Sequence, residues 1–318
     1  MKYDLSRCTH SREAYGEALI ELARRNRDIV VVDGDVSNST KTDRFAREFP
    51  DRFINVGIAE QNMVNIAAGL ALSGKIPFVS TFSIFGCGRA WEQIRNTVAL
   101  DSLNVKLVMT HAGLSLGGDG ATHQSLEDIA IMRVIPNMQV IIPADGPEVR
   151  SVIRYAVNHS GPIYIRLSRR RTITLFDEPY DYDQREYPVI RDGDDVAIFA
   201  SGCMIREALI ASEELAKKGT SARVIDMHTV KPLARDCILR NVRETGRVVS
   251  VEEHNVCGGA GSALAELLME EYPVPMRRVG VQDTFGRSGP VDALFDLLGI
   301  SSRYISGAVH TLIRTERR

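Results

Sequence analysis

Long apolar runs are missing from this sequence. No stretch reaches the roughly 18 apolar residues needed to cross a bilayer, and the opening "MKYDLSRCTHSREAYGEAL" holds no apolar signal core. Neither membrane insertion nor export is expected. Cysteine is sparse: Cys8, Cys87, Cys203, Cys237 and Cys257 are odd in number, widely spaced and free of any C-x-x-C pair, which argues against a disulfide framework and a zinc knuckle. A reducing cytoplasm fits best. Charge of one sign is also lacking. A net charge of -2 gives no electrostatic reason to hold nucleic acid or an anionic membrane, so a small molecule or a protein is the expected partner. Repeats and low-complexity segments are absent.

What is present is a soluble-type composition, 44% hydrophobic and 25% charged, over 318 residues, enough for roughly two domains at about 150 residues each. Short apolar runs ("DIVVVDGD", "RFINVG", "IPFVSTF", "NVKLVMT", "MQVIIPAD", "PIYIRLS") alternate with segments of helical period at 12–25, 59–73, 88–100 and 147–158. Such alternation predicts an α/β fold with a doubly wound, mostly parallel sheet, whose ligands gather at the carboxyl ends of strands. "DEPYDYDQREYPVI", 177–190, loses the periodicity and reads as a connection. A second α/β unit follows, with strands in "DDVAIFASG", "SARVIDMHT", "GRVVSVEEH" and "PMRRVGV" and helices at 204–218, 233–243 and 258–271. The expected division is therefore 1–176, a linker 177–190, and 191–318.

Several stretches carry chemistry. In "INVGIAEQNMVNIAAGL", Glu60 follows a strand and the Gly57 turn and opens a small-residue helix; a carboxylate there can simply answer the helix dipole, or it can serve a ligand. "THAGLSLGGDGATHQSLED", 110–128, sets His111, Asp119 and His123 among glycines at a strand end. Two imidazoles and a carboxylate suit a polyhydroxylated or carbonyl substrate near neutral pH, while the bland reading is a capped loop in which His123 and Gln124 open the next helix. Metal-ligand spacing is absent, so no metal site is assigned. "GGDG" at 117–120 matches no phosphate-loop pattern; "GGAG" at 258–261 follows a strand and opens a helix, as an anion site or a close-packed turn. Arg12 and Arg169 could each grip a phosphate through a guanidinium fork, though "RRR" at 169–171 also suits a solvated surface. Phe82 and Phe85 in "STFSIF" are either core or an aromatic wall.

In order, "HSREAYGEAL", "VVDGDVSNST", "NVGIAEQNMVNIAAGLALSG", "STFSIF", "THAGLSLGGDGATHQSLED", "PNMQVIIPAD" and "IRLSRR" resemble the thiamine diphosphate enzymes of the transketolase family, in their pyrimidine-binding and C-terminal domains. The resemblance implies that Glu60 hydrogen-bonds the pyrimidine nitrogen of thiamine diphosphate, favouring the imino tautomer that takes the proton from the thiazolium carbon. It makes Phe85 and Phe82 the aromatics beside that ring and Asp35 an acidic residue near the cofactor. It places His111, Asp119 and His123 on the sugar's hydroxyls and carbonyl, with Arg12, Ser39 and Arg169 on its phosphate. Gly86, Cys87 and Gly88 stand where many transketolases carry a third aromatic. The family's G-D-G and asparagine metal site, which holds the diphosphate through magnesium or another divalent ion, has no counterpart here: the "GDG" at 118–120 lies inside the substrate loop.

The resemblance thus implies the second subunit of a split transketolase, moving a two-carbon ketol unit between sugar phosphates. Its partner would be an N-terminal subunit bearing the G-D-G motif, with two copies of each chain. Deoxyxylulose-phosphate synthase-like enzymes and 2-oxoacid dehydrogenase beta subunits compete within the family; His111 in "TH" and "GGDGATHQ" favour transketolase, whereas "GIAEQN" and "VEEHNVCGGAGSA" lean toward the synthase. A non-catalytic α/β regulatory module is the alternative from another class, set against the joint presence of Glu60, His111, Asp119, His123, Arg12 and Arg169.

Overall fold

In the computed structural model, which describes residues 4–315, fourteen short strands build three sheets. They are β1 (Cys8–Thr9), β2 (Ile29–Asp33), β3 (Phe53–Asn55), β4 (Ile76–Phe82), β5 (Lys106–Thr110), β6 (Gln139–Ile141), β7 (Ile163–Arg166), β8 (Thr172–Ile173), β9 (Val189–Arg191), β10 (Val196–Ala200), β11 (Ala222–Asp226), β12 (Thr229–Lys231), β13 (Val248–Asn255) and β14 (Met276–Val281). The first large sheet runs β12-β6-β7-β5-β4-β2-β3, parallel except for the β12 edge. The second runs β14-β13-β10-β11-β9, parallel except for β9. β1 and β8 form a small antiparallel ribbon.

Continuous apolar runs explain the parallel strands: Val30, Val31 and Val32 in β2 and Val196 to Ala200 in β10 are buried on both faces, which only helix-covered sheets require. In the first sheet β2 has β3 on one side and β4 on the other, so the chain reverses its winding direction there. That switch opens a crevice outside the strand ends. Register aligns the ends: Asp33 pairs with Asn55 and with Ser80, and Phe82 pairs with Thr110.

The two units share apolar packing. One cluster joins Met138, Ile142 and Tyr164 to Phe199, Ile225, Val230 and Leu264. β12 lies beyond the connection in sequence yet completes the first sheet against β6, a strand the local pattern does not reveal because it is only three residues long. The connection itself is pinned: Tyr187 and Ile190 are buried, Tyr182 shares a hydroxyl contact with Thr229 and Tyr187 donates to the Thr229 carbonyl.

Some expected bounds shift. The segment expected as a helix over 88–100 begins earlier and is wound in wide turns, Ile84–Arg89 and Ile94–Ala99, around the short Trp91–Gln93. Helices Val291–Leu297 and Ser302–Thr315 follow the last strand, where the sequence reading placed none. Among the described residues no helix is long and apolar enough to cross a membrane.

Candidate active site

The crevice at the carboxyl ends of β2, β4, β5 and β7 collects most of the residues singled out above. At the end of β2, Asp33 is fully buried and accepts from the Val36 amide at 2.8 Å and from the Thr40 and Thr42 hydroxyls at 2.9 and 2.8 Å. Its carboxylate thus ties down the turn carrying Asp35 and Ser39. Asp35 adopts φ 66, a left-handed conformation that Asp tolerates better than most side chains. It accepts from the Asn55 side-chain Nδ2 at 2.9 Å, and the Asn55 side-chain Oδ1 receives the Gly57 N–H at 2.9 Å. Gly57 itself has φ 73, which favours glycine. Together these contacts deliver the first residue of the helix Glu60–Leu72.

Glu60 is only 4% exposed. Its Oε1 accepts from the Arg89 guanidinium at 3.1 Å, and that guanidinium lies 4.4 Å over the Phe85 ring. Oε2 has no hydrogen bond among the described residues, so one oxygen of a nearly buried carboxylate is left to accept from a ligand. The sequence offers no signal for Arg89, which sits 29 residues away on a different element. Phe82 and Phe85 face each other nearly in parallel, 6.0 Å apart at 17°. His111 stacks on Phe82 at 3.9 Å, and His123 meets Phe85 edge-on at 5.2 Å. These two phenylalanines therefore form a flat wall rather than core.

His111 is buried, with φ 58. Its Nε2 lies 3.5 Å from Arg12 Nη1 and its Nδ1 lies 2.7 Å from Thr110 Oγ1. A guanidinium can only donate, so Nε2 is the accepting nitrogen and Nδ1–H donates to Thr110. Burial first, then Arg12, Arg169, His123 and Lys41, push His111 down to about 3, which keeps the ring neutral at pH 7. Arg12 donates to the Ser39 carbonyl at 2.6 Å, so Ser39 takes part through its backbone. Arg169 donates to the Leu116 carbonyl at 2.7 Å and lies 3.7 Å from Asp119, both side chains about half exposed. Burial and Arg169 hold the Arg12 guanidinium below its ordinary value; the crevice therefore favours an anion. His123 contacts the Thr122 hydroxyl at 2.9 Å.

Three readings left open by the sequence are decided by the geometry. His123 and Gln124 do not open a helix: residues 121–127 stay in the loop and the helix is Asp128–Arg133. Gln124 is instead held between the Gly117 and Arg287 carbonyls, at 3.2 and 2.9 Å. The "GGAG" turn offers no anion site, because Glu252 of β13 already receives the Ala260 and Gly261 amides at 2.7 and 3.1 Å. Within "RRR", only Arg169 reaches the crevice; Arg170 pairs with Asp292 at 2.6 Å and Arg171 donates to His10 at 2.7 Å. Among the described residues no cluster of three His, Cys, Asp or Glu could hold a metal ion.

Residues 9–173 match the transketolase pyrimidine-binding domain and residues 186–305 the transketolase C-terminal domain. The chain is 45% identical over 308 residues to a putative transketolase C-terminal section of Methanocaldococcus jannaschii, covering 96% of each. It is 42% identical to a 6-deoxy-6-sulfo-D-fructose transketolase subunit of a Clostridium species, covering 96% of this chain and 95% of that one. A solved structure described as a split gene transketolase, inactive beta4 tetramer, superposes with a TM-score of 0.90 at 47% identity, covering 96% of this chain and 99% of the other. With both family domains matched across most of its length, the chain belongs to the transketolase family.

Proposed function

We propose that this chain is the C-terminal subunit of a split, thiamine diphosphate-dependent transketolase that moves a two-carbon ketol unit between sugar phosphates. The observation that carries the reading is the convergence, at one set of strand ends, of the Glu60 carboxylate and Phe82–Phe85 wall with the neutral His111 and the Arg12–Arg169 cation pair. In this reading residues 1–176 form the pyrimidine-binding unit, 177–190 the connection and 191–318 the C-terminal unit.

The residues present fit the aromatic half of the cofactor. Glu60 has an uncommitted oxygen beside a flat phenylalanine surface, an acceptor next to a stacking face. Thiamine diphosphate, when bound, supplies a nucleophilic carbon that the side chains themselves lack. Glu60 would hold a proton at the pyrimidine nitrogen, Phe85 and Phe82 would exclude water from one ring face, and Asp35 would stand near the cofactor. His111 would accept a sugar hydroxyl proton at Nε2, with His123 and Asp119 on further hydroxyls. Arg12 and Arg169 would grip the phosphate, with the Ser39 carbonyl orienting Arg12.

The diphosphate calls for a divalent cation with oxygen ligands, which the described residues do not assemble. We assign it to an N-terminal partner of roughly 250–300 residues, about 1.5–2 domains' worth of chain, carrying a G-D-G motif, in a complex with two copies of each subunit, in the cytoplasm. The description of a relative of the same extent as an inactive beta4 tetramer supports the need for that partner. Calorimetry tests it directly. The chain alone with thiamine diphosphate and magnesium should bind weakly and transfer nothing, and addition of the partner should restore both. Tight binding with ketol transfer by this polypeptide alone would refute the split reading.

A further inference from the structure

The loop that carries His111, Asp119 and His123 runs from 111 to 127 with one short turn, Leu114–Leu116, as its only regular element. A loop of that length needs support from outside to hold an imidazole in place. Its support comes from the second unit. Glu253, on β13 and 2% exposed, accepts the Ser115 amide N–H on one carboxylate oxygen and the Cys203 thiol at 3.1 Å on the other. Gly113, at φ +74, leaves room for this approach: a Cβ there would lie 2.4 Å from the Glu253 carboxyl carbon.

The far end of the loop is tied to the same group. Arg166 donates to Asp128 at 2.7 Å, to the Ser125 carbonyl at 3.3 Å and to the Glu253 carbonyl at 2.9 Å, with its remaining nitrogen 3.9 Å from the Glu253 carboxylate. One arginine of β7 and one glutamate of β13 therefore clamp the loop at Ser115 and at Ser125 to Asp128, with Asp119 and His123 between the clamps and His111 just ahead of the first. Ser115 adds a hydroxyl contact to Ser168 at 2.8 Å, beside Arg169. A buried carboxylate kept this far from water is costly unless every lone pair is used, and here its partners are the loop amide, the thiol and Arg166.

We propose that Glu253 is a positioning residue for the reaction: from the C-terminal unit it sets the place of the His111 loop without touching substrate. This rests on the function proposed above. The test pairs hydrogen exchange of the full chain with kinetics of the complete complex. Glu253→Ala should speed exchange of amides 113–117 about 10-fold or more while β10 and β11 stay protected, and should lower kcat/KM about 100-fold, the cost of a roughly 1 Å misplacement. Glu253→Gln, which can still accept the Ser115 N–H, should restore both toward wild type. If Glu253→Ala does not fold, Cys203→Ala, which removes only the thiol on the other oxygen, should still speed exchange at 113–117 selectively. Unchanged loop exchange in the alanine variants, a glutamine variant as impaired as Glu253→Ala, or a loosened loop with unaltered kcat/KM would each overturn the proposal. Should the wild-type complex transfer no ketol unit, the functional reading fails, while the exchange measurement still decides the loop claim.

Discussion

A histidine kept neutral among two arginines and a lysine has a definite meaning for chemistry. Because burial and those cations hold His111 near 3, its Nε2 remains an acceptor around neutral pH, and it is unsuited to act as the acid at pH 7. Glu60 is the opposite case, a carboxylate with one oxygen committed to Arg89 and the other uncommitted. If that oxygen holds a proton at the cofactor's ring nitrogen, Glu60→Gln should lower kcat of the assembled enzyme by about 10²–10⁴-fold with Tm nearly unchanged, since the amide keeps the shape and can still accept from Arg89. Activity within a few-fold of wild type would remove Glu60 from the mechanism. The sequence shows that Glu60 opens a helix, but the choice between dipole partner and ligand group depends on Arg89, which no spacing connects to it.

At the level of elements, the wide-turn segment Ile84–Arg89 presents Phe85 and Arg89 on one side and buries Gly86 on the other. Wide turns of this kind recur at functional sites because they re-aim side chains relative to a regular helix. Gly86 is what lets this one lie against the sheet: a Cβ would come within 2.4 Å of Met109 Sδ and 2.9 Å of Thr81 Cγ2, and Met109 is fully buried. Gly86→Ala should therefore cost about 1–3 kcal/mol from overpacking, read by denaturant unfolding, and disturb the Phe85 wall. A neutral effect would mean that the segment yields more easily than its packing suggests. Most strands, and the long helices ahead of Ser302–Thr315, were legible because their periodicity is local. The wide turns, the three-residue β12 and the choice between loop and helix at His123 were not, since each is decided by what lies across from it.

On the scale of the molecule, two carboxyl groups meet between the units. Glu148, from the helix Gly146–Asn158, accepts the Ala144 amide at 2.6 Å and the Tyr180 hydroxyl. Asp226, at the end of β11, is fully buried and neither of its oxygens finds a donor. Burial, then Asp226's neighbour Glu148 and nearby Asp145, hold Asp226 well above the carboxylate range; burial pushes Glu148 up to about 7. Both are raised on folding, so stability falls as pH rises: the Glu148 contribution is fully present below about 4.5 and is lost as pH rises through about 7, and the Asp226 contribution is fully present only below about 3.8. The buried neutral His111 and His228, both pushed down to about 3, act in the other direction, losing stability as pH falls below 6.5. Asp226→Asn separates the two effects. Its amide can donate to the Glu148 carboxylate without titrating, so the variant should be more stable than wild type at pH 8 and its Tm should fall less between pH 5 and pH 8. Parallel Tm profiles would show that Asp226 does not contribute to the pH dependence of stability.

The alternation of most strands and helices, the carboxyl ends of strands as the place to look for a ligand and the family itself follow from the sequence, because apolar periodicity and ordered motifs are properties of neighbouring residues. Which oxygen of Glu60 is free, which nitrogen of His111 accepts, that Glu252 fills its own helix terminus and that Glu253 reaches across to Ser115 were decided only by tertiary structure. The Glu252 contact spans only eight or nine residues but needs the turn after β13 to fold back on it, while the others join groups from 29 to 138 residues apart, brought within hydrogen-bond range by tertiary packing.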